Sequence, residues 1–149
     1  MTQENKELLL KDLCARLPYN VICQVEFKED GKYNSKVMLL SGIFTDKAYF
    51  TTKGGSIYSN EYKPYLFPLS SMTEEQEKEI QEIIGNPDNA CIIRKTDGLE
   101  LWLNYIDTDP TIRVDTIFEV QDYLKKNHFD YRGLIEKGLA IDATNLSIY

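Results

Sequence analysis

An α+β fold built on an antiparallel sheet is what this sequence predicts, and three observations predict it. Stretches of period-two alternation fall in two blocks, residues 21–52 and 90–106. Turn signals divide those blocks: Glu29-Asp30-Gly31-Lys32, Thr45-Asp46-Lys47 and Thr96-Asp97-Gly98. Helical spacing occupies the two ends and the middle. The order is helix, strands, helix, strands, helices. It reads as a single domain over 1–149, with a sheet of about five strands, an N-terminal helix, a central capped helix and two C-terminal helices.

The first helix spans about 5–17, with Leu9, Leu10, Leu13, Cys14 and Leu17 as its apolar face and Pro18 as its stop. Val21, Cys23, Val25 and Phe27 then alternate with polar residues and form a half-buried strand. The returning strand runs over 33–45, and Gly42 marks a bulge. A short third strand follows at 48–52. Residues 53–64 read as a loop with Gly54-Gly55 as its flexible point.

Pro68 holds Phe67 extended. Ser71 with Glu74, and Thr73 with Gln76, each match a capping box. Glu74, Glu75 and Glu77 occupy the first turn, where the helix dipole favours negative charge. This helix runs to Ile84, buries Ile80, Ile83 and Ile84, and is closed by Gly85 and Pro87. Strands at 90–95 and 99–106 flank the third turn. Asp115 caps a helix carrying Ile117, Val120 and Leu124.

The segment 127–140 packs two helix stops, a helix start and an aromatic pair into fourteen residues. Asn127 tolerates the left-handed conformation and ends one helix. Asp130 caps a two-turn helix over 131–137, which Gly138 closes so that Leu139 folds back on Leu134. The intervening turn buries Phe129. The simplest reading of this segment is a structural corner.

Three motifs carry a resemblance. They are Leu8-Leu9-Leu10-Lys11-Asp12-Leu13-Cys14-Ala15-Arg16-Leu17-Pro18-Tyr19, then Pro64-Tyr65-Leu66 to Ser71-Met72-Thr73-Glu74-Glu75, and His128-Phe129-Asp130-Tyr131-Arg132-Gly133-Leu134-Ile135 to Gly138-Leu139-Ala140. Together they cover roughly a third of the chain. They resemble an uncharacterised family of small proteins encoded by phages and mobile elements of gut bacteria. The resemblance implies an origin and an α+β fold, and no activity. That family commonly has a basic residue where this chain has Phe67, which argues against an anion-binding role there.

Composition excludes several classes. Hydrophobic residues make up 42% and charged residues 28% of the 149, an ordinary globular balance. No apolar run approaches the roughly 20 residues that span a bilayer, so no membrane association is expected. Residues 1–7 lack a signal-peptide pattern, so a cytoplasmic location is expected, and the resemblance implies that the cytoplasm is that of a bacterial host. The net charge is −7 and no basic patch is visible, so nucleic acid is not the expected partner. Cys14, Cys23 and Cys91 have no CxxC spacing and read as buried free thiols.

The chemistry is thin. His128 is the one histidine, and it sits at a predicted helix end where it caps carbonyls. No zinc or calcium spacing is present, and Lys53-Gly54-Gly55-Ser56 is in the wrong order for a phosphate loop. No catalytic residue, cofactor or metal is therefore assigned. Six residues remain as ligand or partner contacts. Tyr58, Tyr62 and Tyr65 border the glycine loop, Trp102 lies opposite the leucines of its strand, and Tyr131 and Arg132 lie in the corner.

The leading reading is a non-catalytic protein that binds a host or phage protein, with a homo-oligomer left open. The alternatives are a binder of small ligands or nucleotide signals, and an enzyme with no recognisable catalytic motif.

Overall fold

The computed structural model describes residues 1–44, 47–85, 90–95, 98–103 and 110–149, and the side chains of those outside 90–115. Its order begins α1 (Gln3–Arg16), β1 (Ile22–Glu29), β2 (Lys32–Ile43), β3 (Ala48–Thr52), β4 (Gly55–Ser59) and β5 (Glu61–Pro68). It continues α2 (Glu74–Ile84), β6 (Ala90–Lys95), β7 (Gly98–Leu103), α3 (Pro110–Lys126), β8 (Phe129–Asp130) and β9 (Ile141–Asp142). The fold is α+β. The chain divides into two compact units, Met1–Leu66 with Arg132–Tyr149, and Phe67–Tyr131.

In the first unit, α1 starts where the Thr2 hydroxyl accepts a hydrogen bond from Asn5 N at 3.2 Å. Its buried face is Leu9, Asp12, Leu13 and Arg16. Leu10 and Cys14, expected to face inward, are exposed. Helix geometry explains the correction. From Leu9 the same face recurs at i+3, i+4 and i+7, which selects Asp12, Leu13 and Arg16, whereas Leu10 lies about 100° and Cys14 about 140° round the axis.

β1 and β2 form a hairpin through Asp30 (φ 49°) and Gly31 (φ 78°), with Glu29 opposite Lys32. β2 pairs with β3, and the register shifts between Leu40 and Gly42, the expected bulge. The expected loop 53–64 is instead mostly strand. β3 turns through Lys53-Gly54 into β4, and β5 follows after Asn60 to pair antiparallel with the other edge of β1. The strand order is β4-β3-β2-β1-β5. Alternation in this region lasts only four or five residues at a time, too short to stand out. Pro64 is tolerated because, among the described residues, β5 gains its second strand neighbour only at Tyr65.

Leu9 and Leu13 of α1 pack with Val21, Cys23, Val25, Met38, Leu40 and Phe50 in one core, which also holds Leu66, Leu134 and Leu139. The residues pointing to the opposite sheet face include Gln24, Glu26, Val37, Tyr49 and Tyr58. The returning segment closes as the glycine signal suggested. Gly138 has φ 67°, its N–H donates to Ile135 O at 2.9 Å, and Leu139 N–H donates to Leu134 O at 2.8 Å. The expected helix over 131–137 is absent, however, and turns take its place. Gly133 has φ 66°, a left-handed residue that a right-handed helix cannot contain. β9 then runs parallel to β5, with Tyr65 opposite Ile141.

In the second unit, Phe67 and Pro68 at the end of β5 pair in parallel with β8. Asp130 therefore belongs to a strand and caps no helix. The sheet is mixed, and a wholly antiparallel one was expected. The difference arises because the chain leaving α3 runs alongside β5 in the same direction. With one C-terminal helix and not two, the described residues hold three α-helices.

α2 carries the full capping box. The Thr73 hydroxyl accepts from Gln76 N, and Thr73 N donates to the Gln76 carboxamide at 2.9 Å. Ser71 does not cap with Glu74, since its hydroxyl donates to Pro68 O at 2.8 Å. β6 and β7 pair antiparallel, and the turn expected at Thr96-Asp97 lies outside the described residues. α3 begins at Pro110, earlier than the expected Asp115 cap, with proline at the first helical position where its missing N–H costs nothing. It ends on His128 as the left-handed residue (φ 58°), and not on Asn127, whose carboxamide donates to Tyr123 O at 3.0 Å. Met72, Ile80, Ile84, Val120 and Phe129 form this unit's core.

Among the described residues, no helix is long and apolar enough to cross a membrane.

Candidate functional site

The strongest surface feature of the first unit is a set of rings packed at a tilt beside the bulge of β2. Tyr49 on β3 lies directly opposite Tyr58 on β4, with ring centroids 4.9 Å apart. Phe44, the residue after β2, has its ring centroid 5.9 Å from that of Tyr58. The bulge at Gly42 puts Gly42 opposite Tyr49, and Phe44 N–H donates to Lys47 O at 2.8 Å, while Thr45 and Asp46 of the expected turn lie outside the described residues. Phe44 and Tyr58 remain 56% and 59% exposed. Tyr33, at the start of β2, is 77% exposed, with the Lys28 ammonium 5.7 Å from its ring centroid. Rings packed together yet wetted are costly to leave in water and suited to a second apolar surface.

The three tyrosines of the sequence reading do not form one clamp. Tyr58 belongs to the exposed set. Tyr62 is half-buried against Phe50 at 5.2 Å, and burial, then Cys23 and Cys14, pushes its hydroxyl pKa up. Tyr65 is buried, and its hydroxyl donates to the Gln24 carboxamide at 3.4 Å. All three lie on strands, so the mobile glycine loop invoked for them does not exist. Tyr62 does line a cleft of about 750 Å³ together with Asn5, Gln24, Asn60, Lys63 and Lys137.

Arg132 is 23% exposed at its side chain, and its Nε lies 3.2 Å from Asp12 Oδ1. Asp12 in turn contacts Arg16 Nε at 2.6 Å, and both of those side chains are fully buried. The sequence reading missed this carboxylate between two arginines. The i, i+4 spacing of Asp12 and Arg16 on the apolar stripe was the available signal. Phe44 was missed as well, although an aromatic beside a hairpin turn was visible in the chain.

Tyr131 is half-buried, and its N–H donates to Phe129 O at 3.2 Å. Trp102 lies opposite Cys91 in the β6–β7 hairpin, and both side chains lie outside the described residues. His128 is buried at the end of α3. Among the described residues, no group of three or more histidines, cysteines or carboxylates is placed to hold a metal ion.

Comparison with known proteins finds no match: no family model, no curated protein and no solved structure is significantly similar to this chain.

Proposed function

We propose that this chain is a non-catalytic accessory protein of a phage or mobile element, and that it binds another protein in the cytoplasm of the bacterial host. The observation that carries the reading is the packed, water-facing set Phe44, Tyr49 and Tyr58 on the outer face of the sheet. Clustered aromatics of this kind supply most of the energy at protein interfaces. The net charge of −7 adds attraction for a basic partner surface. The test is affinity capture from host lysate with the wild-type chain and with Phe44→Ser/Tyr58→Ser. Both substitutions are at exposed positions, so circular dichroism should be unchanged. A stoichiometric partner captured by the wild type and lost by the double variant supports the reading. A partner retained by the double variant, or none captured, overturns it.

A second reading, a binder of small ligands or nucleotide signals, is favoured by the cleft beside Tyr62. Thermal stabilisation by a nucleotide, abolished by Asn60→Ala with Lys63→Ala, would support it.

A further inference from the structure

Two unpaired strand edges face one cleft in the first unit. β4 is the last strand of the order β4-β3-β2-β1-β5, and among the described residues its outer edge has no strand partner. β1 pairs with β2 along its whole length, but with β5 only as far as Glu26. Among the described residues, Phe27, Lys28 and Glu29 therefore present a second edge without a strand partner. The two edges are tied together at one end, where the Ser59 hydroxyl donates to Glu26 O at 2.7 Å and accepts from Glu61 N at 3.0 Å. Beyond that tie lies a cleft of about 610 Å³. Ser56, Ile57 and Tyr58 line it from β4, and Phe27, Lys28 and Tyr33 from the first hairpin, with Lys47 also in its wall.

β4 is Gly55-Ser56-Ile57-Tyr58-Ser59, with no charge and no proline. Edge strands are ordinarily guarded by such residues, because a bare edge offers its N–H and C=O groups to any extended chain. We propose that this cleft takes an extended peptide segment of the partner protein as an added strand between β4 and β1. This deepens the partner-binding reading above and depends on it. The occupant is an extended backbone because strand edges are what it must satisfy. Its acidic side chains lie beside Lys28 and Lys47, away from the tied end, where Glu26 and Glu61 would repel them. Its apolar side chains lie on Ile57 and Phe27, and its acidic ones take the opposite face, which Lys28 and Tyr58 share. A second copy of this chain is the poorer occupant, since its own edge strand β4 carries no carboxylate to meet Lys28 and Lys47.

The test uses isotopically labelled protein and an octapeptide of alternating glutamate and valine. Saturable shifts should centre on the backbone amides of residues 27–29 and 55–59. The same peptide N-methylated at alternate nitrogens should bind at least about tenfold more weakly, because each lost donor removes a strand hydrogen bond. Lys28→Glu with Lys47→Glu should weaken the acidic peptide by a similar factor and favour a lysine–valine counterpart. Equal binding of the N-methylated peptide, shifts centred elsewhere or no binding would overturn strand addition, as would a stable dimer whose 55–59 amides are already protected. If capture of the partner still depends on Phe44 and Tyr58 while those amides do not respond to the peptide, strand addition fails and the partner-binding reading stands.

Discussion

Asp12 Oδ2 lies 2.6 Å from Arg16 Nε one turn along the first helix, and neither side chain reaches solvent. Two charges withdrawn from water are stable only as a pair, so the loss of one is felt in full. Asp12→Ala is expected to destabilise the protein by about 3–5 kcal/mol. Asp12→Leu with Arg16→Met, which removes both charges and keeps the volume, is expected to cost much less. Urea denaturation of the two variants checks this. Equal losses would mean that the pair stabilises chiefly through its packing.

The corner residues separate by burial. Phe129 is 2% exposed in the second unit's core, and Phe129→Ala is expected to cost about 3–5 kcal/mol. Arg132 keeps 23% of its side chain in water while contacting Asp12, so Arg132→Ala should cost less than Asp12→Ala. A denaturation series that ranks Arg132→Ala above Asp12→Ala or Phe129→Ala would contradict this.

The capping box of the second helix gives a smaller, local effect. Thr73→Ala removes the acceptor for Gln76 N and should cost about 1 kcal/mol. Ser71→Ala should leave the helix cap intact, because Ser71 bonds to Pro68 O. Helix content by circular dichroism together with urea midpoints distinguishes the two.

Stability should fall on the alkaline side. Burial pushes the Cys23 thiol well above its usual 9.0. Burial also raises the Tyr149 hydroxyl above its usual 10.0, against the hydrogen bond from Ile22 N that lowers it. A raised folded-state pKa means that the unfolded chain loses its proton first. The contribution is thus whole below the unfolded value and is lost as pH rises past it. Unfolding free energy should decline above about pH 9. Tyr149→Phe should decline less steeply, and should lose about 1 kcal/mol at neutral pH with the 2.8 Å bond to Tyr65 O. An identical alkaline slope in wild type and variant, measured by urea titration at several pH values, would contradict the assignment.

What could be read from the sequence followed the strength of local signals. Asp30-Gly31, the bulge at Gly42 and the Thr73–Gln76 box each set backbone geometry within a few residues, and each is in place. The strands at 55–59 and 61–68 were hidden because Gly54-Gly55, Asn60 and Pro64 interrupt the alternation, and only pairing with distant strands makes them regular. The corner helix failed at Gly133, whose left-handed backbone depends on the surrounding fold and not on local spacing. The candidate site was half legible. Tyr58 was identified from its neighbours, but its packing against Phe44 and Tyr49 requires the bulge and the β3–β4 register. Asp12 and Arg16 went unseen because charge on an apolar stripe reads as solvent until a structure places it inside.

The central claim is that the face around Tyr58 meets another protein. A photo-crosslinking amino acid at position 58 tests it most directly, with the same group at Leu10, on the exposed side of the first helix, as control. Irradiation in lysate of the proposed bacterial host is predicted to give one discrete adduct from position 58, none from position 10, and none from position 58 once Phe44 is changed to Ser. Adducts equally abundant from both positions, or none from position 58 in any lysate fraction, would contradict the account.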